Sequence, residues 1–250
     1  MCYNNENSNN IVIGNGLIAS YFKKYLIGNE NLVIFASGVS NSNETFLHQY
    51  NREKKLIVET LNKYKYKQFI YFSSISIFDS DLQHKDYVKF KKEIEFFLSN
   101  FENTTIIRTS NIVGHGGNSN TLINFFINSL INKQKVELWK NTERNLLGID
   151  DFIRLTLKYL MLNKSKIVNI FYPISYNPVE IFNTIEFFLN LSGEYEVKEK
   201  GNKYIPKIST DILNIYNELN IEITQNYLNN LLFKYFANKK INEKLEYHSS

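Results

Sequence analysis

Residues 10–20 read Asn-Ile-Val-Ile-Gly-Asn-Gly-Leu-Ile-Ala-Ser, and this stretch decides the fold. A short apolar run is followed by a G-x-G-x-x-A turn and then by the start of an amphipathic segment. Gly14 permits a tight turn, Gly16 lets an anionic group approach the backbone, and the small Ala19 lets a helix pack closely on the strand. The pattern predicts a strand, a turn and a helix whose free N–H groups can hold a phosphate. The alternative is a tight strand-to-helix turn that holds no ligand.

Short apolar runs alternate with longer amphipathic segments along most of the chain, as in proteins whose parallel strands are joined by crossover helices. After about residue 195 the pattern becomes helical and less regular. We therefore predict an α/β fold. The predicted strands are Ile11 to Ile13, Leu32 to Ala36, Gln68 to Ser73, Thr104 to Arg108, Val136 to Trp139 and Ile167 to Phe171, and the predicted helices cover residues 16–27, 43–64, 86–100, 119–133, 150–162, 178–191, 212–219 and 227–236.

Composition narrows the class of protein. The chain has 250 residues and is 43% hydrophobic, which is enough for one large core. Its net charge of +4 comes from dispersed lysines, so we expect no nucleic-acid groove, although substrates that carry phosphate remain compatible. No apolar stretch is long enough to span a membrane and the N-terminus is polar, so we expect a cytoplasmic protein. The single cysteine and four scattered histidines predict neither disulfides nor a metal site.

Four later segments share a pattern with one known family. The first, Val33-Ile-Phe-Ala-Ser-Gly-Val-Ser40, ends in small residues, and residues 69–78 carry a Ser-Ser pair after an apolar run. Residues 105–114 include Arg-Thr-Ser-Asn and end in glycine, while residues 144–151 run from an arginine to an Asp-Asp pair. In this order they resemble the fourth, fifth and sixth strands and the substrate-binding segment of UDP-galactose 4-epimerase and its relatives. Those proteins belong to the extended short-chain dehydrogenase/reductase superfamily.

The resemblance implies a deletion. The strand after the glycine turn matches the family's fourth strand, so the second and third strands with their helices are missing. The predicted strand and its end, residues 32–38, carry no Asp or Glu to hold an adenosine ribose. We therefore expect a truncated Rossmann-like parallel sheet flanked by helices, with a small, mostly helical C-terminal substrate cap. Residues 10–170 would form the cofactor domain, with 115–145 contributing to the cap, and residues 171–250 the cap itself.

The segment Tyr87-Val-Lys-Phe-Lys91 has the Y-x-x-x-K spacing, which places both side chains on one face of a helix. A phenol titrates near pH 10, so it exchanges protons at neutral pH only beside a cation. Residues 50–54 and 235–239 have the same spacing. Only Tyr87 follows a strand end that carries serine and opens the next crossover helix, as a site at the carboxyl ends of the strands requires.

The resemblance assigns roles to these residues. Ser74, Tyr87 and Lys91 become the candidate catalytic residues, with Ser74 bonded to the reacting oxygen and Lys91 also holding the nicotinamide ribose. Alternative readings are a strand-end cap for the serines, an exposed tyrosine and a solvated lysine. The candidate cofactor-binding residues are Gly14, Gly16, Leu17, Ile18, Ala36, Ser37, Gly38, Tyr87 and Lys91, and the candidate substrate-binding residues are Ser74, Asn111 and Arg144.

Two classes of function follow. The first is an NAD- or NADP-dependent 4-keto reductase or epimerase acting on a nucleotide sugar, in the synthesis of surface polysaccharide sugars. A dehydratase fits less well because Ile75 and Ser76 stand where those relatives carry an Asp-Glu pair. The second is a non-catalytic Rossmann-like binding or regulatory protein. The family also suggests a homodimer through helices 43–64 and 86–100. Asp150 and Asp151 are expected to stabilise a helix N-terminus rather than to catalyse.

Overall fold

The computed structural model describes residues 10–26, 31–42, 44–64, 66–162, 166–204 and 206–246, with side chains described up to residue 238. Its strands are β1 (Ile11–Ile13), β2 (Leu32–Phe35), β3 (Gln68–Ser74), β4 (Thr104–Thr109), β5 (Asn111–Val113), β6 (Val136–Trp139), β7 (Arg144–Gly148), β8 (Ile167–Ile170), β9 (Ser175–Tyr176) and β10 (Tyr195–Lys198). Its α-helices are α1 (Leu17–Tyr25), α2 (Leu47–Lys63), α3 (Asp86–Ser99), α4 (Leu122–Ile131), α5 (Ile149–Leu162), α6 (Pro178–Leu189), α7 (Thr210–Glu218) and α8 (Tyr227–Glu246).

The central sheet is parallel and has the order β1-β2-β3-β4-β8. A complete Rossmann sheet has the order 3-2-1-4-5-6, in which the first strand lies inside the sheet. Here β1 lies at the edge of the five-stranded sheet. Only residues 26–31 join α1 to β2, too few for another strand and helix. The predicted deletion of two strands is therefore confirmed.

Helices cover both faces of this sheet. On one face α2 and α3 bury Ile57 and Ile94 against Tyr71 of β3. On the other face α1 and α5 bury Phe22 and Phe152, and both rings contact Phe72 of β3. Because strands β2 to β4 are covered on both sides, their apolar runs are nearly continuous instead of alternating. The predicted α/β architecture is thus confirmed.

Among the remaining elements, β5, β7 and α7 pack against α5. Two small sheets, β5-β7-β9 and β6-β10, combine with helices α4 and α6 to α8. Their apolar side chains belong to the same core cluster as Phe22 and Phe152, which continues to Phe236 of α8. The division into a cofactor domain and a cap stays a prediction. Within the described residues, no helix has both the length and the apolar character needed to cross a membrane.

The predicted elements are present with shifted ends. Helix α2 was predicted to begin at residue 43 and begins four residues later, at Leu47. Residue 43 and residue 27, the predicted end of α1, lie outside the described residues. Helix α8 runs ten residues beyond its predicted end. The sequence did not predict strands β5, β7, β9 and β10 or the two 3-10 turns at residues 75–78 and 80–82.

Candidate functional site

The two glycines of the turn have different surroundings. Gly14 has φ of +122°, and a Cβ atom there would lie 2.3 Å from the carbonyl oxygen of Ala36. This position therefore requires glycine for the fold itself. Gly16 is the N-cap of α1, and a Cβ atom there would meet nothing within 4 Å. The space above the helix N-terminus is open, while Ala19 is buried as predicted.

The open turn is bordered by a lysine and a loop. Exposed Lys23 donates hydrogen bonds to the Gly14 carbonyl oxygen (2.7 Å) and to Oδ1 of Asn15 (3.1 Å). On another side, a Cβ atom on Gly117 would lie 3.7 Å from the side chain of Leu17, the first residue of α1. The first turn of α1, which includes Leu17 and Ile18, contains no acidic residue. Its N–H groups are therefore not opposed by a carboxylate within that turn.

The segment after β2 brings a second group of predicted residues to the same end of the sheet. Ala36, Ser37 and Gly38 are partly buried and follow the strand directly. A Cβ atom on Gly38 would lie 3.0 Å from Nζ of Lys91 and 3.1 Å from Oε1 of Glu53. The structure thus places the Gly38 backbone against the lysine of the Y-x-x-x-K motif.

Lys91 is buried in a polar cluster that the sequence did not predict. Its side chain is 2% exposed, and it forms a 2.9 Å ion pair with Glu53, whose side chain is 0% exposed. The ammonium also donates to the hydroxyl of Tyr71 (2.8 Å), and that hydroxyl donates to Glu53 Oε1 (2.7 Å). Burial and the Glu53 carboxylate raise the pKa of Tyr71 well above its ordinary value. Tyr71 therefore remains a neutral phenol.

Tyr87 lies at the second position of α3, one helical turn before Lys91. It is buried, and the centre of its ring is 5.7 Å from Lys91 Nζ. The two side chains share one face of the helix, as their spacing predicts. Neither is exposed, so the reading of a surface tyrosine with a solvated lysine is wrong.

The two serines at the end of β3 have separate partners. The hydroxyl of Ser74 accepts a hydrogen bond from the Ser76 N–H (3.1 Å) and lies 2.8 Å from the Ser76 hydroxyl. Ser74 therefore caps the following 3-10 turn, and its side chain stays partly exposed. Ser73 is buried and donates to Glu95 (2.5 Å). Glu95 also accepts three bonds from Arg108 on β4, two from Nε at 3.0 and 3.1 Å and one from a terminal nitrogen at 2.5 Å.

The candidate substrate-binding residues lie on neighbouring strands. Asn111 of β5 is exposed and donates to the carbonyl oxygen of Asn145 (3.0 Å). Arg144 begins β7 and is partly buried. Desolvation lowers the pKa of its guanidinium, and the charge of Asp79 opposes this shift only in part. Within the described part of the chain, no hydrogen bond or ion pair to the Arg144 guanidinium is present. A partly buried cation without an ion-pair partner is a candidate anion-binding group.

The Asp-Asp pair lies in the first helical turn as predicted, but the predicted bonds to free N–H groups are replaced: the N–H groups of Gly148 and Asp150 donate to the hydroxyls of Tyr227 and Tyr235. Asp150 and Asp151 lie in the first turn of α5. Tyr235 donates to Asp150 (2.8 Å), and Tyr227 donates to Asp151 (2.7 Å). Burial raises the pKa of Asp150, but the bonds from Lys234 and Tyr235 outweigh this effect and leave the pKa lowered. These carboxylates therefore fasten α8 to the N-terminus of α5.

Comparisons with known proteins concern the fold. No protein-family profile matches the sequence, and no curated protein matches it significantly. Among solved structures, UDP-glucuronic acid 4-epimerase from Bacillus cereus, in complex with UDP-glucuronic acid and NAD, superposes with a TM-score of 0.63 at 16% identity, over 91% of this chain and 79% of that one. RMD from Pseudomonas aeruginosa, complexed with NADPH, gives 0.64 at 13% identity over 86% and 93%. WbmH from Bordetella bronchiseptica, in complex with NAD+, gives 0.65 at 13% identity over 88% and 78%. The chain therefore has a shortened form of the fold of NAD-dependent nucleotide-sugar epimerases and dehydratases of the short-chain dehydrogenase/reductase type.

Proposed function

We propose that the chain binds NAD or NADP at the carboxyl ends of β1 to β3 and acts on a nucleotide sugar as a 4-keto reductase or an epimerase. The observation that carries the proposal is the meeting of Gly38, Lys91 and Tyr87 at that end of the sheet. Ligands of open α/β sheets bind in this position. The similar structures named above contain NAD, NADPH or UDP-glucuronic acid, which supports the same ligand classes here.

The residues present fit a nicotinamide dinucleotide. The N–H groups at the start of α1 and the open space at Gly16 suit a pyrophosphate. An ammonium has three N–H groups. Lys91 gives one each to Glu53 and Tyr71, which leaves one for a ribose hydroxyl. When bound, the cofactor supplies hydride transfer, and Tyr87 moves the proton at the sugar oxygen. Ser74 donates its hydroxyl proton to that oxygen and continues to accept from the Ser76 N–H.

Arg144 supports a substrate that carries a diphosphate. Its guanidinium is partly desolvated and forms no ion pair with a described side chain. A diphosphate would supply the missing negative charge. Asn111 lies on the adjacent strand, with β5 and β7 in register at Asn111 and Leu146. In this proposal both residues bind the substrate, and the sugar belongs to the synthesis of surface polysaccharides.

One observation favours the second candidate, a non-catalytic binding or regulatory protein. The Lys91 ammonium already has a carboxylate partner, Glu53, at 2.9 Å. A lysine neutralised in this way attracts a phenolate less than an unpaired lysine does. Together with the missing adenosine side of the sheet, this arrangement is compatible with a protein that binds a nucleotide without turning it over.

A calorimetric titration with NADH and NADPH tests the proposal. It should be run on the native chain, on Lys91→Ala and on Lys89→Ala, which removes an exposed lysine two residues away. We expect saturable binding that weakens at least tenfold in Lys91→Ala and is unchanged in Lys89→Ala. Circular dichroism checks that both variants are folded. Turnover of UDP- and dTDP-sugars then separates the two candidates, and a native chain that binds neither cofactor contradicts the proposal.

A further inference from the structure

Glu53 connects three segments that surround the proposed site. It lies on α2, where no sequence motif marks it, and its side chain is completely buried. Besides Tyr71 and Lys91, the carboxylate accepts a 2.6 Å bond from the Val39 N–H, in the segment that follows β2. Both of its oxygens are therefore used. One side chain thus joins the end of β2, the strand β3 and the helix α3.

A buried ammonium needs such a partner. Removing a charge from water disfavours its charged form, and a lysine without a nearby acceptor tends to lose its proton. The Glu53 carboxylate opposes this tendency at Lys91 and also fixes where the ammonium lies. Nζ is held against Gly38, at a place where a Cβ atom would be only 3.0 Å away. The position of the charge is therefore set before any ligand binds.

We propose that Glu53 is a positioning residue: it keeps Lys91 as an ammonium ion and holds it beneath Gly38, one helical turn from Tyr87. The inference rests on the proposed function in one respect, because it takes the ligand that Lys91 meets to be a nicotinamide nucleotide. Glu53 acts through Lys91 and does not touch the ligand itself. Its effect on binding should therefore disappear when Lys91 is absent.

The ion pair can be tested without ligand, through the pH dependence of folding. In Glu53→Gln the buried ammonium loses its counter-charge, so the unfolded chain holds this proton more tightly than the folded chain does. Stability then rises with pH. Relative to the native chain, we expect the folded-to-unfolded ratio of Glu53→Gln to rise by up to about tenfold per pH unit between pH 7 and 9.5. The double variant Glu53→Gln/Lys91→Met should lack this difference.

The reverse variant covers the case in which Glu53→Gln does not fold. Lys91→Met leaves a buried carboxylate without its cation, and such a group binds a proton more readily when folded. Its stability relative to the native chain should therefore rise as the pH falls from 7 to 5. Urea denaturation at each pH measures both slopes. Parallel stability profiles for the native chain and the variants that fold would overturn the proposal.

A double-mutant cycle tests the link to the ligand. NADH and NADPH are titrated at pH 6 and pH 9 against the native chain, both single variants and the double variant. Glu53→Gln should lower the affinity for the cofactor at both pH values, and the loss at pH 9 should be about ten times the loss at pH 6. In the Lys91→Met background, Glu53→Gln should not change the affinity. An equal loss in both backgrounds would mean a purely structural Glu53 and would overturn the proposal. If the native chain binds neither cofactor, the proposed function fails, while the stability slopes still decide whether Glu53 holds the ammonium.

Discussion

The edge of the sheet at β1 and its centre at β3 and β4 differ in construction, although both end at the proposed site. At the edge, the glycine turn is open, and Lys23, which bonds the Gly14 carbonyl oxygen and Asn15, is exposed. At the centre, the charged groups of Glu53, Lys91 and Glu95 are buried and paired. The edge has lost two strands, whereas the buried carboxylates and the buried lysine of the centre each have a partner of opposite charge.

If the proposed function holds, this difference indicates which half of a dinucleotide site the chain would retain. In a Rossmann sheet the strand beyond the first one carries the acid that holds the adenosine ribose. The central strands carry the groups that would meet the nicotinamide side. A buried ion pair costs desolvation free energy and persists only with good geometry. The well-formed pairs at the centre therefore indicate that this part of the fold is tightly determined.

The largest expected effect is a loss of stability at alkaline pH, caused by the buried tyrosines. Burial raises the pKa of four tyrosines whose hydroxyls bond neighbouring elements, to about 12 for Tyr176 and further for Tyr216, Tyr227 and Tyr235. A free tyrosine titrates near 10, so the stabilisation is complete below pH 10 and is lost as pH rises toward the folded-state pKa values. We expect a loss of roughly 1.4 kcal/mol for each such tyrosine by pH 11.

Urea denaturation from pH 8 to 11, followed by tyrosinate absorbance, measures this loss. Tyr216→Phe should reduce the pH slope by about one proton. A free energy of unfolding that stays constant between pH 9.5 and 11 would show that these four tyrosines are not held as neutral phenols.

At the open edge, Gly14→Ala should have the next largest effect. The added Cβ atom would enter the Ala36 carbonyl group, and the positive φ adds strain. We expect a loss of about 3–5 kcal/mol in the free energy of unfolding. Gly16→Ala is the matched control because its Cβ atom meets nothing, and it should cost less than about 1 kcal/mol. Equal losses in the two variants would contradict the assignment of separate roles to the two glycines.

Much of this arrangement is predictable from local sequence, and some is not. The ends of β1 and the shared face of Tyr87 and Lys91 follow from the turn and from helical spacing, which involve neighbouring residues. The role of Glu53 depends on Tyr71 and Lys91, which are 18 and 38 residues away in the chain. On the sequence alone, Glu53 is one charged residue among several on a helix.

Strand β7 illustrates the same limit. Its residues contain the arginine that the family resemblance singled out, yet the strand was not predicted. Strand β7 forms by pairing with β5, whose Asn111 lies opposite Leu146, and with β9. Such pairing of distant segments leaves little trace in a five-residue pattern, whereas the strand, turn and helix of the glycine motif are marked within eleven residues.

Arg108→Met should destabilise the centre of the sheet by removing one buried ion pair. It leaves Glu95 buried without its cation, and we expect a loss of about 3 kcal/mol in the free energy of unfolding. Lys54→Met removes the partner of Glu93 in a pair that is about half exposed, so it should cost less than about 1 kcal/mol. Urea denaturation at pH 7 compares the two variants, and similar costs would contradict the view that the centre depends on its buried pairs.

Arg144→Gln should affect binding without a comparable effect on folding. Within the described residues its guanidinium has no ion-pair partner, so its removal should change the free energy of unfolding by less than about 1 kcal/mol. Affinity for UDP should fall at least tenfold, by loss of a charge-assisted bond. Calorimetry with UDP measures this, with Arg154→Gln as control because that exposed arginine already bonds the Leu219 carbonyl oxygen. Unchanged affinity in Arg144→Gln would remove Arg144 from the substrate site.

The smallest expected effect concerns the choice between NADH and NADPH. Residues 32–38 offer no carboxylate to bind the 2′-hydroxyl or to repel the 2′-phosphate. Lys23, which lies beside the turn, cannot repel the 2′-phosphate because it is a cation. Its ammonium group is also bonded to the Gly14 carbonyl oxygen. We therefore expect weak binding of both cofactors, with dissociation constants that differ by less than about fivefold, or about 1 kcal/mol. Titration of both at equal ionic strength measures the ratio. Tight binding of only one would mean that the open edge carries an adenosine site after all, and the contrast between edge and centre would no longer hold.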